Sequence, residues 1–109
     1  MNILVLGAGT FGTAIANELS VNTENKVTLF SRNQEKVEEI NQFQTNKSCF
    51  PNKHLTKHLK ASSDKEFIRD GDIFFIALPS SVIIENLIAL KSFFKEDALF
   101  VNLSKGLFE

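Results

Sequence analysis

Six residues near the amino end, Gly7-Ala8-Gly9-Thr10-Phe11-Gly12, carry the spacing G-x-G-x-x-G. The spacing alone is common, and its weight depends on what flanks it. Ile3-Leu4-Val5-Leu6 precedes it as a continuous apolar run, the pattern of a strand covered on both faces. Phe11, Ala14, Ile15 and Leu19 follow at spacings that share one face of a helix. Between a strand and a helix, each glycine has a purpose. Gly7 permits the tight turn, Gly9 leaves no Cβ in the way of a pyrophosphate, and Gly12 lets the helix lie close to the strand. The free N–H groups and the positive end of the helix dipole would hold the phosphates. A glycine-rich turn with no ligand is the competing reading, and the strand–turn–helix context weighs against it.

The end of the next strand is the second informative position. Sites that prefer NAD usually carry an acidic residue there to bond the ribose hydroxyls, whereas this chain has Ser31-Arg32. A guanidinium can pair bidentately with a 2′-phosphate, so NADP(H) is favoured and NAD(H) stays open. Pro79 and Ser80 end the fourth strand on the edge where open α/β sheets bind ligands, and they could border the cofactor. Lys105 follows the last strand on that same edge, flanked by Ser104 and Gly106. It could reach a substrate oxygen or the nicotinamide end, and an ordinary surface lysine is an equal reading.

Other candidates are weaker. His54 and His58 are four apart in a segment without helical period, and no acidic third ligand stands at a recognisable spacing, so no metal site is expected. Cys49 has no activating neighbour and reads as an inert thiol. Glu35, Glu38 and Glu39 read as the solvent face of a helix. No Ser/His/Asp set or carboxylate pair stands out.

These residues need a scaffold, and the chain alternates between short apolar runs and helical patterns. Strands are expected at 3–6, Lys26–Phe30, about Leu59–Ala61, Asp72–Leu78 and Ala98–Val101. Helices are expected from the glycine turn to Leu19, after an Asn33 cap with Val37, Ile40 and Phe43 inward, and briefly from Ser63-Asp64 through Ile68. The last opens at Ser80, with Ile83, Ile84, Leu87, Ile88 and Leu90 inward. Asn46–Lys60 holds Pro51 and reads as a loop. The order β-α-β-α-β-α-β-α-β implies a doubly wound α/β fold of the Rossmann type, with parallel strands and right-handed crossovers.

Composition bounds the rest. In 109 residues, 43% hydrophobic and 23% charged, there is room for one soluble globular domain. Twelve Lys+Arg against 13 Asp+Glu give a net charge of -1, which advertises neither a nucleic acid nor an anionic membrane as partner. The apolar runs are too short to cross a bilayer, and the amino end lacks the basic leader of a signal peptide. A single cysteine fits a reducing cytosol. Eleven Phe with no Trp or Tyr imply a core of rings that need no hydrogen-bond partner.

Taken together, the chain resembles the N-terminal part of bacterial NAD(P)-dependent glycerol-3-phosphate dehydrogenase. The matching pieces are Gly7 to Ala14, Leu29-Phe30-Ser31-Arg32, and Asn46-Lys47 ahead of Phe50-Pro51-Asn52. Ala77-Leu78-Pro79-Ser80 and Ser104-Lys105-Gly106-Leu107 complete them, so the resemblance runs over all 109 residues. It implies a cytoplasmic oxidoreductase that interconverts dihydroxyacetone phosphate and sn-glycerol 3-phosphate for phospholipid synthesis. It also implies cofactor contacts at Thr10 and Phe11, an adenosine-side contact at Arg32, and a role for Lys105 towards both nicotinamide nucleotide and substrate. Many members have Trp where Phe11 stands and a cofactor-adjacent Tyr where Cys49 stands. The ring survives at Phe11, but Cys49 cannot supply a phenolic hydroxyl.

The resemblance further places the general acid/base lysine beyond Glu109, in a helical C-terminal domain. Residues 1–109 are therefore expected to be a partial NAD(P)-binding Rossmann domain, inactive by itself, with a homodimer open for the full-length protein. Two other readings compete: a dehydrogenase of the ketopantoate or 6-phosphogluconate type, and a non-catalytic nucleotide-sensing module of the same fold.

Overall fold

A computed structural model describes residues 1–22 and 24–103. Five parallel strands, β1 (Asn2–Leu6), β2 (Lys26–Phe30), β3 (Lys60–Ser62), β4 (Ile73–Ile76) and β5 (Leu99–Asn102), form one sheet in the order β3-β2-β1-β4-β5. Helices α1 (Thr10–Ser20), α2 (Gln34–Phe43) and α3 (Ser80–Leu90) make crossovers, with a 3-10 segment at Lys65–Asp70 between β3 and β4. The chain winds outward through β2 and β3, then returns to pair β4 on the other side of β1. The reversal leaves a crevice beyond the carboxyl ends of β1 and β4, the switch point where such sheets take ligands.

Alternation along β1 divides the core. Ile3 and Val5 face Val27 and Leu29 of β2, Ala16 of α1, and Val37 and Ile40 of α2. Leu4 and Leu6 face Phe30, Phe74, Ile76, Ile68 and Leu90. Phenylalanine fills the second layer: Phe74 meets Phe94 edge-on at 4.9 Å and stacks on Phe100 at 5.4 Å between centroids. Away from the crevice, Asp72 accepts the Asn2 N–H at 2.8 Å and Lys95 Nζ at 2.6 Å. Those two bonds, the Asn2 N–H first, hold its carboxyl below the usual carboxylate range, and the bond to Asp72 raises Lys95.

Each expected strand and crossover is present, β2 at the expected bounds and the others shifted by at most two residues. The faces of the helices need three corrections. On α1 the buried residues are Gly12, Thr13, Ala16, Asn17 and Ser20, while Phe11 and Ala14 are exposed. The helix approaches the strand so closely at Gly12 that small side chains face inward there and Phe11 turns outward, while Leu19 packs at the margin of the core. On α2, Val37 and Ile40 are buried but Phe43 is 64% exposed. The helix ends one residue later, at Gln44 in the left-handed region, so Phe43 overhangs the sheet. On α3, Ile84 and Ile88 are 74% and 67% exposed, against the expectation that they point inward. Only the stripe Ile83, Leu87 and Leu90 packs on the sheet, because apolar residues spread over more than one helix face cannot all turn to one layer.

Candidate dinucleotide site

The glycine turn sits at the head of the crevice. Gly7 has φ +112°, a left-handed conformation, and donates its N–H to Phe30 O at 3.0 Å. A Cβ on Gly7 would stand 2.7 Å from the Ala77 carbonyl oxygen, and one on Gly12 would collide with the Gly7 carbonyl oxygen. Gly9 differs: its φ is ordinary and a Cβ there would meet nothing within 4 Å. The fold needs glycine at 7 and 12, and at 9 it leaves space.

Gly9 is also the N-cap of α1, and no side chain caps that helix. The first intrahelical bond runs from Thr13 N to Gly9 O at 3.0 Å, so the N–H groups of Thr10, Phe11 and Gly12 precede the ladder. On α2, by contrast, Asn33 Oδ1 accepts the N–H groups of Glu35 and Lys36 at 3.1 and 3.2 Å. The start of α1 thus keeps donors for an anion where that of α2 does not, and α3, which opens after Pro79, likewise has no side-chain cap.

A cleft of about 400 Å³ runs from Gly7 and Ala8 across the end of β2 to α3, lined by Ser31, Arg32, Val82 and Glu85 among others. Arg32 is exposed, and the ion pairs among the described residues, Arg69–Glu66 and Lys95–Asp72, leave it out. It also borders a second cleft of about 210 Å³ that Ser63 and Lys65 line. Ser31 is buried and accepts the Asn33 N–H on Oγ at 3.1 Å, so part of its work is to shape the turn into α2.

The structure therefore brings Gly7, Ser31 and Arg32 to one cleft, with Gly9, Thr10 and Phe11 at the exposed start of α1 and Gly12 buried beneath them. Pro79 is exposed and N-caps α3 on the same edge of the sheet, outside the lining of that cleft. Lys105 lies outside the described residues. His54 and His58 are exposed. Cys49 Sγ is half-buried, 3.8 Å from the Ala8 carbonyl oxygen.

Sequence reasoning missed the support beneath the turn. Asn46 Nδ2 donates to the Ala8 carbonyl oxygen at 3.2 Å and to Thr13 Oγ1 at 3.0 Å, and Lys36 Nζ reaches the same carbonyl at 3.1 Å. The loop bearing Asn46 is tied to α2 by Glu39, which accepts the Thr45 hydroxyl at 2.7 Å and the Lys47 N–H at 2.8 Å. Those bonds, the hydroxyl's first, hold the Glu39 carboxyl below its usual range. Glu39 is thus a loop anchor rather than part of a bare solvent face. One signal was visible: Thr13, Asn17 and Ser20 are spaced to share one helix face, and such a polar stripe needs partners if buried.

A parallel sheet in this order, with a glycine turn and an uncapped helix at its switch point, defines a Rossmann-type doubly wound domain. Comparison with known proteins narrows the class. The profile described as "NAD-dependent glycerol-3-phosphate dehydrogenase N-terminus" matches residues 2–109, and the chain belongs to that family. It is 35% identical over 107 residues to a glycerol-3-phosphate dehydrogenase [NAD(P)+] of Neorickettsia sennetsu, covering 98% of this chain and 32% of the relative. It is 38% identical over 108 residues to the enzyme of that name from Acinetobacter baylyi, covering 98% and 30%. Among solved structures, the glycerol-3-phosphate dehydrogenase of Coxiella burnetii superposes with a TM-score of 0.81 at 26% identity, over 93% of this chain and 31% of that one. The yeast (Saccharomyces cerevisiae) enzyme superposes at 0.84 with 23% identity, a likeness of fold, over 94% and 33%. The chain thus spans about a third of the length of the curated relatives it matches. No helix among the described residues is long and apolar enough to cross a membrane.

Proposed function

We propose that residues 1–109 are the nucleotide-binding part, a partial Rossmann domain, of an NAD(P)-dependent glycerol-3-phosphate dehydrogenase. The enzyme would interconvert dihydroxyacetone phosphate and sn-glycerol 3-phosphate in the cytoplasm, as a supply for phospholipid synthesis. The observation that carries the reading is the Gly9 gap above the uncapped start of α1, in a chain whose family match runs over residues 2–109.

In this reading the N–H groups of Thr10 and Phe11 hold the diphosphate, and the phenyl ring of Phe11 covers it from the solvent side. The adenosine lies in the cleft between Ser31 and α3, with Arg32 beside its ribose. The cation at Arg32 and its neighbour Lys65 along the smaller cleft favour a 2′-phosphate, hence NADP(H) over NAD(H). Glu85 on the facing helix is the group that a ribose hydroxyl would meet if the phosphate were absent. Bound reduced coenzyme supplies the hydride. Pro79 borders the coenzyme where β4 ends, Lys105 is assigned to the nicotinamide side and the substrate, and proton delivery is assigned to a lysine beyond Glu109.

The test is a titration of NADPH and NADH into the full-length protein, followed by turnover of dihydroxyacetone phosphate. Micromolar binding together with turnover supports the reading. Turnover of a different keto substrate would move it to another dehydrogenase type, and binding without turnover that survives Lys105→Ala would favour a sensing module.

A further inference from the structure

The buried face of α1 is a polar rail. Thr13, Asn17 and Ser20 are 0%, 8% and 1% exposed, and each finds its partner in the loop between α2 and β3. Asn46 Nδ2 donates to Thr13 Oγ1 at 3.0 Å, the Thr56 N–H donates to Asn17 Oδ1 at 2.7 Å, and Ser20 Oγ lies 3.4 Å from Thr56 Oγ1. Asn46 is itself fully buried, and Ser48 donates its hydroxyl to Asn46 Oδ1 at 3.2 Å. Its backbone carbonyl accepts the N–H groups of Cys49 and Phe50 at 3.0 and 2.8 Å. A buried amide held at both ends has one orientation to offer.

What it offers is a donor to the Ala8 carbonyl oxygen. The carbonyl of Ala8 and the N–H of Gly9 belong to one trans peptide plane and point in opposite directions. Holding the oxygen on the loop side turns the Gly9 N–H away from the loop. The reverse orientation would present a carbonyl oxygen to an incoming anion. We propose that Asn46 is a positioning residue that locks the Ala8–Gly9 peptide so that a dinucleotide diphosphate meets an N–H and not a carbonyl oxygen. Lys36 Nζ, on the same oxygen, reinforces the lock from α2. The inference rests on the nucleotide reading above and adds a residue that touches neither coenzyme nor substrate.

The experiment compares wild type, Asn46→Ala and Asn46→Asp in the full-length protein, with dissociation constants for NADPH, NADH and adenosine, which lacks the diphosphate. Asn46→Ala should weaken both dinucleotides by one common factor, roughly threefold to tenfold for a lost buried hydrogen bond, and leave adenosine unchanged. Equal weakening of all three ligands, or none, overturns the proposal, since a general loosening of the fold does not discriminate by phosphate. Should Asn46→Ala fail to fold, the near-isosteric Asn46→Asp decides. Its carboxyl can donate only when protonated, so its dinucleotide affinity relative to wild type should recover as pH falls, and a flat ratio overturns the proposal. Wild type that binds neither dinucleotide would remove the nucleotide reading itself. Wild type that binds with an unaffected Asn46→Ala would remove Asn46 alone.

Discussion

Replacing Gly9 by Ala separates what the glycine turn does for the fold from what it does for a ligand. The backbone of Gly9 is at φ -77° and ψ -170°, a conformation any residue adopts, and the new Cβ would enter open space. Stability should therefore be unchanged or rise by about 0.4–1 kcal/mol, because alanine has less unfolded-state entropy to lose. The space it enters is the space assigned to the diphosphate. Displacing a bound group by one methyl costs about 1–3 kcal/mol, which is roughly fivefold to 150-fold in dissociation constant. Gly12→Ala is the contrast, since its Cβ would meet the backbone oxygen of Gly7, which cannot yield without moving α1 off β1. Its cost should fall on the fold, about 3 kcal/mol. Denaturation with and without NADPH reads both effects. At a hundredfold excess over its dissociation constant the coenzyme should stabilise wild type by about 2.7 kcal/mol, and Gly9→Ala by much less at that same concentration. A Gly9→Ala protein that binds NADPH as tightly as wild type would refute the placement of the diphosphate.

Three further perturbations have definite signs. Arg32→Ala should weaken NADPH about tenfold or more while leaving NADH within about twofold, and an unchanged NADPH/NADH ratio in paired titrations would take Arg32 out of the site. Gln44 occupies the left-handed region at φ 55°, where a side chain costs about 1–2 kcal/mol, so Gln44→Gly should raise the urea midpoint by the equivalent of about 0.5–1 kcal/mol after glycine's own entropy cost. Glu39 has a lowered pKa in the folded state, so its stabilisation is fully present above the usual carboxylate value of about 4.3 and is lost as pH falls through the depressed one. Glu39→Gln should accordingly flatten the decline of stability below that pH, seen as a smaller difference in urea midpoint between pH 7 and pH 3.

Much of this molecule was legible in one dimension because its signals are local. The run Ile3 to Leu6 has to be a doubly covered strand, and three glycines at that spacing between a strand and a helix leave few uses other than a phosphate turn. Ser31-Arg32 could be placed on the crevice as soon as the strands were taken as parallel and consecutive, since parallel strands present all their carboxyl ends on one edge. The alternation of elements was equally open to reading, with errors confined to their ends.

Tertiary structure decided what periodicity cannot express. Hydrophobic spacing put Phe11 and Leu19 on one face of α1, but a helix pinned to a strand at Gly12 buries its small and polar stripe, so Phe11 was left exposed while Leu19 packs only at the margin of the core. Which of the apolar residues of α3 would be covered depended on the direction of the sheet beneath it, and Ile84 and Ile88 were left outside. The support of the phosphate turn by Asn46 and Lys36 joins residues 38 and 28 positions from Ala8, across two crossovers. No pattern within a helix or a strand encodes such a contact, because hydrogen bonds between distant loops exist only once the layers that carry them have been stacked.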